Sequence, residues 1–175
     1  YTMSSSYTGL NVNGLKFGTT YYWRVYAITA NYADTSASSA VWSFTTTDAP
    51  TLTGPTDGIV LSNSVKPNIR WTELVGASKY IYQCDTSSSF NSPLCLTYTY
   101  NGYNSSGSNP NQLHFGKTYY LRMKATNTDE SDTSAWSAVR TFTTCDAPTI
   151  TSPNDGVVFT STVRPTIKWT EITGA

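Results

Sequence analysis

The chain reads as short runs in which apolar and polar residues alternate, and no segment sustains a helical period. Between Tyr119 and Ala125, the residues Tyr119, Leu121, Met123 and Ala125 fall on one side, and Tyr120, Arg122 and Lys124 on the other. A period of two places successive side chains on opposite faces of a strand, so this run predicts a strand with one face on a core and one in water. Tyr21, Trp23, Val25 and Ala27 oppose Tyr22, Arg24 and Tyr26 in the same way. Ile69 and Trp71 alternate with Arg70 and Thr72, while Tyr80, Tyr82 and Cys84 alternate with Ile81 and Gln83. Pro55-Thr56-Asp57-Gly58 and Pro153-Asn154-Asp155-Gly156 carry Pro early and Gly late, which marks turns, because Pro presets φ and Gly accepts φ above zero. Asn101-Gly102 and the stretch from Ser105 to Pro110 mark another loop. Short strands, close turns and no helix together predict an all-β chain built as antiparallel sandwiches.

The pattern also repeats. Residues 15–77 return without a gap as residues 113–175, at a constant offset of 98, with roughly half of the positions identical. Leu15-Lys16-Phe17-Gly18-Thr19-Thr20-Tyr21-Tyr22 becomes Leu113-His114-Phe115-Gly116-Lys117-Thr118-Tyr119-Tyr120, and Trp71-Thr72-Glu73 becomes Trp169-Thr170-Glu171. A repeat of this length has the size of one small domain, well above the roughly 20–50 residues of a solenoid unit. The joint is short: Phe44-Thr45-Thr46 runs through Thr47-Asp48-Ala49-Pro50 into the next copy, and Asp146-Ala147-Pro148 repeats it. Proline there is stiff, so the joints predict a semi-rigid array, unlike a Gly/Ser tether.

Leu-x-Phe-Gly-x-Thr-Tyr-Tyr-x-Arg-x-x-Ala, then Ser-Ala-Val-x-x-Phe-Thr-Thr and Asp-Ala-Pro, resembles the fibronectin type III family as found in bacterial surface and secreted proteins. The resemblance implies tandem immunoglobulin-like sandwiches. Residues 48–145 form one complete module, residues 1–47 the C-terminal part of the one before (family strands E, F and G), and residues 146–175 the first strands of the next. It makes Tyr21 and Tyr119 the corner tyrosines whose hydroxyls bond nearby backbone. Trp71 and Trp169 become core tryptophans, and Tyr80 and Phe142 take core positions beside them. Phe17 and Phe115 stand where the family usually carries Pro.

Composition narrows the function. Eleven basic and eleven acidic residues cancel and are spread thinly. No basic stripe is offered to nucleic acid, and no apolar stretch approaches the roughly 20 residues that span a bilayer. Charged residues make up 13% of the chain, about half the usual share, while Ser, Thr and Tyr are abundant. That balance suits an extracellular or cell-surface β-protein.

Candidate chemistry is sparse. The single histidine, His114, lies just before a strand, on its solvent side. With one histidine, and no nucleophile elbow, metal-binding helix motif or phosphate loop, nothing calls for catalysis, a metal or a cofactor. A pair of glycosidase carboxylates stays open, although Asp57, Asp129, Glu130 and Asp132 read as turn residues and Glu73 and Glu171 as strand ends. Cys84 and Cys95 flank a hairpin loop symmetrically; they form a disulfide across two strands or are two unrelated thiols. Cys145 replaces Thr47 of the other copy and is odd by count. Tyr98, Tyr100, Tyr103 and Trp136 are the candidate contacts for a glycan or protein partner, against the plainer reading that they cover strand faces. Asn104-Ser105-Ser106 matches a glycosylation acceptor. The expected role is a non-catalytic spacer or shaft in a surface filament, whose partners are neighbouring repeats and other copies in the filament. The alternatives are a carbohydrate- or protein-binding module, or accessory repeats of a secreted enzyme or phage fibre.

Overall fold

The computed structural model describes residues 8–102, 107, 109–161 and 163–174. Its strands, in chain order, are β1 (Thr20–Trp23), β2 (Trp42–Thr45), β3 (Leu52–Gly54), β4 (Ile59–Val60), β5 (Arg70–Trp71) and β6 (Lys79–Asp85). There follow β7 (Leu96–Asn101), β8 (Thr118–Thr126), β9 (Arg140–Thr143), β10 (Ile150–Ser152) and β11 (Lys168–Trp169). No helix occurs among the described residues, so the chain is all-β as the alternation predicts. Residues 48–145 hold two sheets. One is five-stranded, in the order β4-β9-β8-β6-β7, and the other pairs β3 with β5. All pairings in them are antiparallel except that of β4, which adds in parallel to β9.

The alternating faces fall as the period requires. Tyr119, Leu121, Met123 and Ala125 of β8 are fully buried, as are Tyr80 and Cys84 of β6 and Phe142 of β9. Ile69 and Trp71 close this core from the second sheet. The Trp71 ring lies 5.0 Å from Tyr80 and 5.2 Å from Tyr100, centroid to centroid, and Tyr119 stacks on Phe142 at 5.7 Å. A Thr- and Tyr-rich sequence can build this interior because each buried hydroxyl finds a partner. The Leu74 amide donates to the Tyr80 hydroxyl (2.8 Å) and the His114 amide to the Tyr119 hydroxyl (2.9 Å).

The turn before β8 is built twice. At Tyr21 the Lys16 amide donates to the phenolic oxygen (2.9 Å), while Thr46 Oγ1 donates to the Lys16 carbonyl (2.6 Å). At Tyr119 the same bonds come from His114 and Thr144, the latter at 2.7 Å. Gly18 and Gly116 follow at φ 58° and 61°. Glycine is needed at both for conformation and for space. A Cβ would come within 2.5 Å of an Asp48 carboxylate oxygen at Gly18, and within 2.7 Å of one from Asp146 at Gly116.

Tyr21 and Trp169 were expected in a core, but Tyr21 is half-buried and Trp169 is 63% exposed. Trp71 is enclosed by Tyr80 and Tyr100; over Trp169, its repeat, no such ring stands among the described residues. β1 pairs with β2 and β10 with β11, and the apolar faces of Trp23 and Ile150 likewise lie open. The resemblance places strand E within residues 1–47, of which residues 1–7 lie outside the described residues; residues 8–14 form no strand. Gly9, Asn11, Asn13 and Gly14 crowd that segment, and glycine and asparagine are poor strand formers. Replacing the central ring tests the core directly: Trp71→Ala is expected to lower the stability of the chain by about 3–5 kcal/mol, read from its urea midpoint. An unchanged midpoint would show that this core is misassigned.

Candidate functional site

Tyr98 and Tyr100 do not form an exposed aromatic platform. β7 lies at the edge of the five-stranded sheet, and its alternation turns Leu96, Tyr98 and Tyr100 inward against the core while Thr97 and Thr99 face out. Tyr98 stacks on Tyr82 at 5.0 Å, and its hydroxyl donates to the Asn111 carbonyl. Burial, with smaller contributions from Cys84, Tyr82 and Tyr119, pushes the Tyr98 hydroxyl up to about 12. Tyr103 and the acceptor Asn104-Ser105-Ser106 lie outside the described residues.

Trp136 sits on the outer face of the same sheet, and its ring is already covered. The Arg122 guanidinium lies 4.3 Å from the Trp136 ring and 3.9 Å from that of Phe90, while Lys124 Nζ is 5.0 Å from Trp136. Gln83 Oε1 fixes the guanidinium by accepting from Nε (2.9 Å) and Nη2 (2.7 Å), and Gln83 Nε2 donates to Thr97 Oγ1. Such contacts are worth about 0.5–2 kcal/mol each, and a sugar stacking on the ring face they cover would have to displace them. Two serines hold Trp136 in place. Ser134 Oγ accepts from the Ala125 amide (2.9 Å) and donates to the Ala135 carbonyl, while Ser137 Oγ accepts from the Met123 amide (3.0 Å) and donates to Ala138. Ser36 and Ser39 do the same for Ala27 and Val25. The shared Ser-x-x-Ser spacing in both copies was the sequence signal for this arrangement.

Of the two readings of the hairpin pair, the structure has the unbridged one: Cys84, Cys95 and Cys145 are free thiols. The register explains this for the hairpin pair. Cys84 lies opposite Leu96 and points inward, so the alternation of β7 puts Cys95 on the outer side. Burial pushes the Cys84 thiol up, and burial together with the Asp85 carboxylate does the same for Cys95. Asp85, which the sequence reading passed over, organises the hairpin loop. Its oxygens accept from the Ser92 amide (3.0 Å), the Ser87 amide (3.2 Å) and the Ser92 hydroxyl. Burial raises its pKa, but the bonds from Ser92, Ser87 and Thr86 outweigh burial and hold the carboxyl below the usual carboxylate range.

Four of the remaining polar candidates each have a local structural task. Asp57 accepts from the Thr141 amide (2.7 Å) and hydroxyl (3.1 Å), which hold its carboxyl low. Asp129 accepts from the Ser131 hydroxyl and amide, with the same effect. Glu130 pairs with Lys79, and Asp132 accepts the Phe17 amide (2.8 Å). His114, Glu73 and Glu171 are exposed. No cluster of three or more His, Cys, Asp or Glu able to hold a metal occurs among the described residues. No helix among them is long and apolar enough to cross a membrane.

No family model and no curated protein matches the chain. Solved structures do. An Fn3-like protein from Clostridium thermocellum is 20% identical at a TM-score of 0.40, over 57% of this chain and 94% of that one. The FN1-FN3 domains of chicken CNTN1 are 18% identical at 0.39, over 75% of this chain and 48% of theirs. An α-L-rhamnosidase from Streptomyces avermitilis, complexed with L-rhamnose, is 17% identical at 0.40, over 60% of this chain and 12% of that one.

Asp85 makes acid stability testable. A carboxylate whose folded pKa is depressed contributes stability that is fully present above its unfolded value of about 3.9 and is lost as pH falls through the folded value. The urea midpoint is therefore expected to fall below about pH 4. Asp85→Asn is expected to cost about 1–3 kcal/mol at pH 7 and to flatten that acid slope without removing it, since Asp57 and Asp129 contribute too. An acid limb unchanged in Asp85→Asn would remove Asp85 from this account.

Proposed function

We propose that this chain is a non-catalytic structural segment of a tandem array of fibronectin type III-like modules in an extracellular or surface-attached protein, serving as a semi-rigid spacer or shaft. One observation carries the reading: the same backbone clamp is built 98 residues apart, at the two places where the sequence puts a module joint. Gly18 and Gly116 donate to the carbonyls of Thr47 and Cys145 (3.1 and 3.0 Å), and in both copies the Asp of Asp-Ala-Pro lies against the glycine. The first strand then starts at once, with the Thr72 amide bonded to Thr51 and the Thr170 amide to Thr149, both at 2.8 Å. A joint with its first residue clamped and a proline two positions on has little slack.

The aromatic residues point the same way. Tyr98 and Tyr100 complete a core and Trp136 is covered by its own cations, so the rings that suggested a ligand site serve the module instead. Of the carboxylates weighed for catalysis, Asp57, Asp129 and Asp132 accept from backbone amides instead. Low charge and a Ser-, Thr- and Tyr-rich surface favour an extracellular setting. Small-angle scattering on the full chain checks the mechanical part: an elongated, rod-like profile is expected, and the profile of a compact globule would overturn the spacer reading.

A further inference from the structure

Two grooves mark the two joints, and their linings correspond. The first, of about 570 Å³, lies between the segment Val12–Phe17, the joint Thr45–Thr51 and the loop Thr72–Gly76. The second, of about 320 Å³, is lined by Phe115, Asp146, Pro148, Trp169, Thr170 and Ile172. Phe115, Pro148, Thr170 and Ile172 are the repeats of Phe17, Pro50, Thr72 and Leu74. Repeated linings would suit a repeated ligand site, but the contacts around them show what else closes the space.

Each joint displays a contact that the other lacks. At the first, the Phe17 amide donates to Asp132 Oδ2 (2.8 Å), so the turn before β1 meets the loop before β9. At the second, Ser64 and Thr173 form a parallel bridge; the Val65 amide donates to the Thr173 carbonyl (3.2 Å) and the Thr173 amide to the Asn63 carbonyl (2.8 Å). A Cβ on Gly174 would meet the Lys66 side chain at 2.8 Å, so that loop also approaches closely. The exposures match. Phe17 is half-buried beside Asp132, while its repeat Phe115 is 45% exposed. Val65 is buried outside the main core, whereas its repeat Val163 is 96% exposed. The groove is also smaller at the joint where the loop 63–66 is in place.

We infer that the two joints show the two halves of one interface, and that a complete joint is a two-sided clasp whose partner is the next copy of the repeat. On one side, an aspartate at the position of Asp132 caps the amide at the position of Phe17. On the other, the loop at 63–66 bridges the residue at the position of Thr173. The two sides flank the Asp-Ala-Pro hinge and fix its angle, so the grooves are the unfilled remainder of the clasp. This rests on the tandem-array reading.

The test completes the second joint. The full chain is extended after Ala175 by a second copy of residues 78–145, and amide exchange is followed by NMR. The Phe115 amide is expected to exchange at least tenfold more slowly in the extended chain, while the Thr173 amide keeps its protection. Asp132→Ala in the added copy is expected to return Phe115 to its original rate. Loss of Thr173 protection when Phe115 gains it would show two exclusive contacts and overturn the clasp; so would an unchanged Phe115 rate. The unextended chain tests one side independently of whether the added copy folds. There Phe17 is expected to be protected and to lose at least tenfold on Asp132→Ala, and a Phe17 amide exchanging at the coil rate overturns the proposal. Free exchange at Phe17 and Thr173 with the β1–β2 ladder still protected would leave a hinged array standing, whereas the array itself fails on its scattering profile.

Discussion

The module between residues 48 and 145 depends on the double pairing of β8. Residues Lys79 through Asp85 of β6 lie opposite Thr126 through Tyr120 on one edge, and β9 takes Thr118 through Leu121 on the other. A strand paired on both edges has no freedom of register, and a slip of one residue would move Tyr119, Leu121, Met123 and Ala125 to the solvent side. The edge beyond Leu121 has no strand to meet, because β9 starts only at Arg140. Ser134 and Ser137 supply hydroxyl acceptors there in place of carbonyls. The hydroxyl-rich composition, which looked like surface character in the sequence, thus does interior work: it satisfies backbone that the ladder leaves unpaired.

The same register fixes the joint. Tyr119 can reach the His114 amide only if β8 begins at Thr118, and Thr144, just past β9, then bonds both His114 and Lys117. The chain leaves β9 already tied to the turn before β8, and Gly116 brings Asp146 against that turn. Core packing in residues 48–145 and the direction in which the chain leaves past Asp146 are therefore one constraint. A substitution at the glycine would act on both, because a side chain there meets φ strain and the aspartate together.

Period-two alternation, turn residues and the repeat were enough to read the strands of the central module and its core: Trp71, Tyr80, Tyr119 and Phe142 are all buried. The errors have physical causes. Burial is not a property of a residue alone: Trp71 is covered by Tyr80 and Tyr100, and the second copy stops at residue 175, before the positions that correspond to them. Tyr98 and Tyr100 were left between a partner contact and a strand cover because an edge strand and a surface loop look alike in a Tyr- and Thr-rich run; the pairing with β6 decided for the cover. Cys84 and Cys95 were symmetric about a loop, yet a strand register offset by one puts symmetric residues on opposite faces. Asp85 and Asp132 were invisible as sites because their partners are backbone amides, which every residue offers. The Asp132 contact also joins residues 115 positions apart.

Several of the differences between the copies lie on the outer face of the five-stranded sheet. Arg122 has a counterpart in Arg24, but Trp136 stands where the first copy has Ser38, and Lys124 where it has Tyr26. Phe90 belongs to the loop that Asp85 organises, so the guanidinium is sandwiched by one ring from that loop and one from the segment before β9. A cation on the open face of a sheet would normally cost nothing to leave hydrated. Here two rings and Gln83 gather it in and fasten the two irregular segments to the sheet. The side chains that differ between the copies on this face thus serve the stability of the sheet that carries them.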